Sequence, residues 1–208
     1  SSDELRELLS TAMAFKAERR VSNELSGRSV ALVFLNPSLR TRASMQIAVF
    51  ELGGNPVLIE PGSTSWSIEY IDNAVMDGDR TEHIAEFVRV LSRYVSAIGV
   101  RTFATLKDWE LERTDPVLKA FSKYSSVPVI NLESAMHHPC QAMADMQTIR
   151  ERFGEVKKKV LLTWAWHPKA LPMAVPNSFA LAAAQMGHDL TIAYPEGYDL
   201  DPDLMMQV

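Results

Sequence analysis

The chain has 208 residues, of which 47% are hydrophobic and 23% charged, with a formal net charge of -5 and one cysteine. At roughly 150 residues per domain this length accommodates one or two domains, and the composition excludes disordered and fibrous classes. The negative balance gives no general attraction to nucleic acid or an anionic membrane. Cys140 alone cannot form an internal disulfide and fits a reducing compartment. No apolar run approaches the ~18 residues of a membrane span, and no basic-then-apolar signal segment opens the chain, so a cytoplasmic protein is expected.

In chain order, Leu5, Leu8, Leu9, Ala12 and Phe15 recur at helical spacing, with Ser2 or Asp3 as cap. The run from Val30 to Leu35 is continuously apolar, as in a strand buried in a parallel sheet. A helix is predicted over 40–52, stopped by Gly53-Gly54, then a strand over 56–60 and a long polar stretch over 61–80. A helix follows over 82–94 with Thr81 as its cap, then a strand over 97–101, a helix over 116–124 and a strand over 127–131. A helix over 141–153 leads to a strand over 159–164, a helix over 176–186 ended by Gly187, and a strand over 189–193.

This alternation predicts an α/β fold, a parallel sheet flanked by helices, with right-handed crossovers. The Gly154-Glu155 turn and Lys157-Lys158-Lys159 suggest a boundary that divides the chain into 1–155 and 156–208. The second part holds only about two βα units, too few to close a core well, and is read as an incomplete second α/β domain. The absence of an initiator Met and the helix opening after Pro202 suggest that both ends are cut.

Three segments carry polar chemistry at the ends of predicted strands, where open α/β sheets bind ligands. The first is Asn36-Pro37-Ser38-Leu39-Arg40-Thr41-Arg42. A helix start offers free N–H groups and a positive dipole end to an anion, to which Ser38 and Thr41 add hydroxyls and Arg40 and Arg42 add charged forks. The same motif also fits a capped helix with solvated arginines. The second is Glu133-Ser-Ala-Met-His137-His138-Pro139-Cys140-Gln141, where an imidazole beside a helix start is biased toward neutral and can donate to a carbonyl, while Gln141 can hold a small amide. Either histidine alone also fits a surface or packing role. The third is Arg101, closing an apolar strand as a snorkelling or cleft-facing cation.

Together the first two segments resemble the S-x-R-T-R and H-P-x-Q signatures of the aspartate and ornithine transcarbamylase family. Gly62-Ser-Thr-Ser-Trp66, Met76-Asp77-Gly78-Asp79 and Thr163-Trp164-Ala165-Trp166-His167-Pro168-Lys169 look like its N-acylornithine branch. The likeness runs the length of the chain and stops before the family's H-C-L-P segment.

The resemblance implies transfer of a carbamoyl group from carbamoyl phosphate to the δ-amine of N-succinyl- or N-acetylornithine. Ser38, Leu39, Arg40 and Thr41 would cradle the phosphate. Thr41, Arg101 and His138 would polarise the carbonyl oxygen, and Gln141, with the backbone of Pro139 and Cys140, would bind the carbamoyl amine. Trp66 would reach a neighbouring subunit's site in a homotrimer, and Glu133 and His167 would contact the acyl-ornithine. No cofactor or metal is implied: one cysteine makes no cysteine-based zinc site, and nothing near Cys140 resembles a Cys–His–Asn arrangement. Trp109 and Trp164 are read as packing residues.

At the position that separates the two branches, the family carries Glu for acetyl and Pro for succinyl substrates. Here it is Thr81, which removes a like-charge clash with a succinyl carboxylate. The segments 174–179 and 195–202 look succinyl-like and 82–86 acetyl-like, so the expectation leans to succinyl. The alternative is a truncated or inactive relative that acts only as a carbamoyl phosphate or phosphate-binding module.

Overall fold

The computed structural model describes residues 1–18, 21–169 and 171–208. The chain divides into two compact units, Val21–Ser134 and a second formed by the described residues of 1–20 with Ala135–Val208. The chain opens with α1 (Ser2–Glu18), which belongs to the second unit.

Val21–Ser134 is built on β1 (Ser29–Phe34), β2 (Asn55–Ile59), β5 (Ala97–Arg101) and β6 (Val129–Glu133), a four-stranded parallel sheet in the order β2-β1-β5-β6. Alternation along the strands splits the core into two layers. Ala31, Val33, Ile98 and Val100 face one side with Val88, Leu91 and Phe121, which lie on or beside α3 (Ile84–Leu91) and α5 (Pro116–Tyr124). Val30, Leu32, Phe34 and Leu132 face the other with Val49 of α2 (Arg40–Glu51). Covering both faces explains why β1 reads as an unbroken apolar run. Gly99 lies where the sheet is tight: a Cβ there would come 3.1 Å from Leu132 and 3.2 Å from Leu32, so those side chains would have to give way.

The polar stretch contains more order than its composition suggests. β3 (Ile68–Glu69) pairs in parallel with β4 (Glu82–His83), and Glu69 ion-pairs with Arg80 at 3.0 Å. Asp72 is bonded by both Lys123 and Tyr124 of α5. Thr81, predicted as a helix cap, is not one: α3 starts later, and His83 caps it by accepting from the Ala85 N–H at 3.1 Å. Helical periodicity alone could not place this start, because Glu82 and His83 pair with β3 instead. A short α4 (Trp109–Glu112), absent from the sequence reading, precedes α5. β6 lies two residues later than predicted, ending at Glu133.

In the second unit, α6 (Pro139–Phe153) and α7 (Ala174–Gln185) pack with α1 through Leu9, Ala142, Met146, Ala182 and Ala183. β7 (Lys159–Thr163) and β8 (Asp189–Ala193) form a two-stranded parallel sheet, and α8 (Pro202–Met205) is capped by Asp201. Residues alternate between half-buried and exposed along both strands, and Leu161 is 62% exposed. Compactness divides the chain after Ser134, earlier than the boundary expected at 155, because α6 shares a core with α1 and α7. Among the described residues, no helix is long and apolar enough to cross a membrane.

Phe121 is fully buried and meets Phe87 edge to face at 6.1 Å between ring centres. Replacing Phe121 with Ala should lower unfolding free energy by about 3–5 kcal/mol. Urea unfolding of the two proteins measures this, and a loss under ~1 kcal/mol would remove Phe121 from the core.

Candidate active site

Three strands of the sheet end at one edge, and their last residues are tied together. The Leu35 N–H donates to the Arg101 carbonyl at 3.0 Å, the Thr102 N–H to the Glu133 carbonyl at 2.8 Å, and the Phe103 N–H to Asn36 Oδ1 at 2.7 Å. α2 starts at this edge. Leu39 sits at its cap position without a side-chain cap hydrogen bond, so no side chain at that position competes with a ligand for the first-turn amides. Leu39 itself is exposed, as is Arg40, while Ser38 and Thr41 are half-buried.

Arg101 organises the edge. Its Nη1 donates to Thr41 Oγ1, its Nη2 lies 2.9 Å from Glu133 Oε2, and its guanidinium sits 4.6 Å from the centre of the Phe103 ring. The Arg101 and Glu133 side chains are only 12% and 7% exposed. Burial pulls the Arg101 guanidinium below its ordinary value; the Glu133 carboxylate opposes this and the charge of Arg40 adds to it. Arg40 thus lies near enough for its charge to act on Arg101. Burial raises the Glu133 carboxyl, and Arg101 opposes the rise. With Thr41 accepting from Arg101, its own hydrogen is left to donate elsewhere.

Other expected residues behave differently. Arg42 is ion-paired to Glu60 at 3.1 Å, so of the two motif arginines Arg40 is the one at the open edge. Glu133, expected against acyl-ornithine, has its carboxylate against Arg101. Trp66 is 66% exposed, held out by a turn in which the Gly62 N–H donates to the carbonyls of Ser65 and Trp66 at 3.0 and 3.2 Å. Gly62 takes a φ of 76°, which suits glycine. The β3–β4 pairing sets exposed Thr81 beside the strand that follows Trp66, the Glu82 N–H donating to the Ser67 carbonyl at 3.3 Å.

His138, Pro139, Cys140 and Gln141 lie in the second unit at the head of α6, with His138 at the cap position and Pro139 opening the helix. The His138 N–H donates to Ser178 Oγ at 2.7 Å, and Asn177 Nδ2 to the Met136 carbonyl at 3.1 Å. Both α7 residues are buried. The sequence reading missed this support, although two polar residues inside the apolar run of α7 were a signal for it. Gln141 Nε2 donates to Asp145 at 2.9 Å, leaving its carbonyl oxygen as an acceptor. Local desolvation pushes the Cys140 thiol up, the wrong direction for a thiolate nucleophile. His167 is exposed and accepts from the Lys169 N–H at 3.1 Å, and Trp164 stacks on Tyr194 at 5.2 Å. Among the described residues, no group of three or more His, Cys, Asp or Glu side chains is placed to hold a metal.

Residues 1–151 match the model of the aspartate/ornithine carbamoyltransferase carbamoyl-P binding domain. The chain belongs to the aspartate/ornithine carbamoyltransferase family. It is 49% identical over 206 residues to N-acetylornithine carbamoyltransferase of Xanthomonas campestris pv. campestris, covering 97% of this chain and 60% of that protein. It is 38% identical over 203 residues to N-succinylornithine carbamoyltransferase of Bacteroides thetaiotaomicron, covering 97% and 64%. Among solved structures, acetylornithine transcarbamylase complexed with acetylcitrulline superposes with a TM-score of 0.93 at 48% identity, over all of this chain and 63% of that one. The chain thus spans about 60% of the length of the carbamoyltransferases it matches. The parallel sheet flanked by helices is the fold it shares with them, and the match of residues 1–151 leaves the second α/β domain incomplete here.

The loop after Arg101 is fixed by one carboxylate. Glu112 accepts from the Thr105 hydroxyl, from the Leu106 N–H at 2.9 Å and from the Lys107 N–H at 3.5 Å. Burial raises its carboxyl, but these donors outweigh burial and hold it below its ordinary 4.5. A carboxylate depressed in the folded state adds stability above its unfolded value and loses it as pH falls through the folded one. Glu112→Ala should cost about 1–3 kcal/mol of unfolding free energy at pH 7. The difference from wild type should shrink below about pH 4.5 in a urea series, and a constant difference down to pH 3 would exclude the ionised staple.

Proposed function

We propose that the protein transfers the carbamoyl group of carbamoyl phosphate to the δ-amine of an N-acylated ornithine, giving N-acylcitrulline and phosphate. The observation that carries this reading is the Arg101–Thr41 pair at the head of α2, with Arg40 in electrostatic range, in a chain of this family. Two cations and a helix start suit a phosphate and an adjoining carbonyl that gains negative charge.

In this reading the amine attacks the carbonyl carbon, a tetrahedral intermediate forms, the C–O bond to phosphate breaks and the amine loses a proton. Ser38, Leu39, Arg40 and Thr41 hold the phosphate through amides, hydroxyls and charge. Thr41, Arg101 and His138 donate toward the carbonyl oxygen. Gln141 is suited to the carbamoyl amine because its Nε2 is turned to Asp145, which takes one amide hydrogen, and its oxygen is left to accept. The backbone of Pro139 and Cys140 is assigned to the same amine, and Glu133 and His167 to the acyl-ornithine, on the family resemblance. The exposure of Trp66 supports its assignment to a neighbouring subunit's site within a homotrimer, which sedimentation of the full-length protein tests. The domain boundary near 155 is kept as part of this reading, close to the end of the family match at 151.

The acyl group is the finer question. Identity is higher to the N-acetylornithine enzyme than to the N-succinylornithine one. Thr81 supports acceptance of succinyl, because a neutral hydroxyl offers no repulsion to a second carboxylate. Variants of N-acetylornithine transcarbamylase in which one glutamate is replaced have been crystallised with carbamyl phosphate and N-succinyl-L-norvaline, a pairing in line with this logic.

Arg40→Ala in the full-length protein should weaken carbamoyl phosphate binding at least about thirtyfold, the ratio that ~2 kcal/mol gives for a charged hydrogen-bonding group. Calorimetric titration reads this, and unchanged affinity removes Arg40 from the phosphate site. Thr81→Glu should move the ratio of kcat/KM for N-succinylornithine over N-acetylornithine toward acetyl by about tenfold or more, a ~1.4 kcal/mol like-charge effect in an exposed, screened setting. A ratio that does not move places acyl selection elsewhere.

A further inference from the structure

The end of β6 is tied down at three consecutive residues. The pairing passes from Val100 with Asn131 to Arg101 with Glu133, so the strand carries one extra residue, Leu132, at that step. Leu132 is fully buried with Val30, Leu32 and Phe34. Glu133 is paired with Arg101, its Oε2 lies 2.9 Å from Arg101 Nη2, and its carbonyl accepts from the Thr102 N–H at 2.8 Å. Ser134 follows, 1% exposed. Its hydroxyl donates to Asp115 Oδ2 at 2.7 Å and accepts from Asn131 Nδ2 at 3.2 Å.

Asp115 is an unusual partner. It stands at the cap position of α5 with φ 50° and ψ 52°, in the left-handed region that favours glycine. Pro116 follows it and narrows its backbone choice further. Two other aspartates that precede helices turn their carboxylates to the first turn: Asp108 accepts from the Leu111 N–H, and Asp201 from the N–H groups of Asp203 and Leu204. Asp115 makes no such cap bond, and its carboxylate reaches Ser134 instead. A disfavoured backbone conformation and a forgone cap persist where surrounding contacts over-determine them. Here the contact that takes the carboxylate sits directly beside Glu133.

We infer that Asp115 is a positioning residue: through Ser134 it fixes the backbone next to Glu133, so that this carboxylate keeps its place beside Arg101 and presents itself to the acyl-ornithine. The kinetic part rests on the proposed carbamoyl transfer, and the tether itself does not. Leu132 in the core and Ser134 on Asp115 hold the chain on either side of Glu133, which leaves its side-chain torsions to be set by Arg101. Asn131, the other partner of the Ser134 hydroxyl, belongs to β6 itself, whereas Asp115 ties the strand end to another element.

The test uses full-length wild type, Asp115→Asn, Asp115→Gly and Ser134→Ala. Asparagine keeps an oxygen for Ser134 and tolerates the left-handed backbone, so its KM for the acyl-ornithine at saturating carbamoyl phosphate should stay within about threefold of wild type. Glycine relieves the backbone and removes the carboxylate, and its acyl-ornithine KM should rise at least about fivefold. The dissociation constant of carbamoyl phosphate should stay within about threefold throughout, since Arg101 keeps Thr41 and the Phe103 ring. Ser134→Ala should match Asp115→Gly, and combining the two should add nothing further. An unchanged acyl-ornithine KM in Asp115→Gly, an equal rise in Asp115→Asn, a matching rise in the carbamoyl phosphate constant, or additive rises in the double variant would each overturn the inference. If Asp115→Gly does not fold, Ser134→Ala and Asp115→Asn decide on the same constants.

Amide hydrogen exchange of the ligand-free protein reads the tether without catalysis. The Thr102 N–H, held by the Glu133 carbonyl, should exchange at least about tenfold faster in Asp115→Gly and Ser134→Ala than in wild type or Asp115→Asn. Unchanged exchange would refute the tether whatever the reaction proves to be. Faster exchange in a protein whose wild type transfers no carbamoyl group would refute the proposed function and leave the tether standing.

Discussion

The pairing of β5 with both β1 and β6 is the constraint from which the site follows. A parallel ladder sets three carboxyl ends on one edge, and each side chain at that edge inherits its direction from the register below it. At Gly99 the ladder is tight enough that Leu32 and Leu132 close over the backbone from neighbouring strands. That packing fixes β5 laterally and so fixes Arg101, two residues on. The apolar layers on both faces therefore do more than stabilise: they decide where a cation emerges.

The energetics of that cation run against burial. Taking a guanidinium out of water is costly, and a buried pair returns the cost only when its geometry is good and its remaining hydrogen-bonding positions are used. Here one edge goes to Thr41 and another to Glu133, and the face lies on Phe103. Leaving Arg101 Nε buried without a hydrogen-bond partner means that the pairing is incomplete. Such incompleteness is expected where a site is built for a ligand rather than for stability alone. Arg42 provides the contrast: a neighbour in sequence, it pairs with Glu60 and leaves Arg40 as the charge on offer.

Much of this was legible in the sequence, for physical reasons that differ from element to element. β5 and α5 were predicted at their observed limits because a buried apolar run and a Pro-led amphipathic turn each carry a strong local signal. The place of Ser38 to Thr41 between a strand and a helix start was readable from the apolar run before them and the helical pattern after them. What escaped was set by tertiary contact. His83 rather than Thr81 caps α3 because a two-residue pairing with β3 overrides helical periodicity. Arg42 looked like Arg40 until Glu60 came alongside it. The partnership of Glu133 with Arg101 rests on an extra residue in a strand, which no pattern of period two can reveal.

That extra residue also bears on how this protein can vary. Substitutions along β6 change size or charge at a fixed place, and most positions there have some tolerance. Changes in length do not act in that way. The pairing passes from Val100 with Asn131 to Arg101 with Glu133, so removing one residue between Val129 and Asn131 would undo that shift and turn Leu132 to the opposite face, taking it out of the apolar layer around Val30, Leu32 and Phe34. The segment is thus open to point mutation but closed to insertion and deletion. Descendants of this chain that keep Arg101 should keep the residue count of β6 more faithfully than its composition.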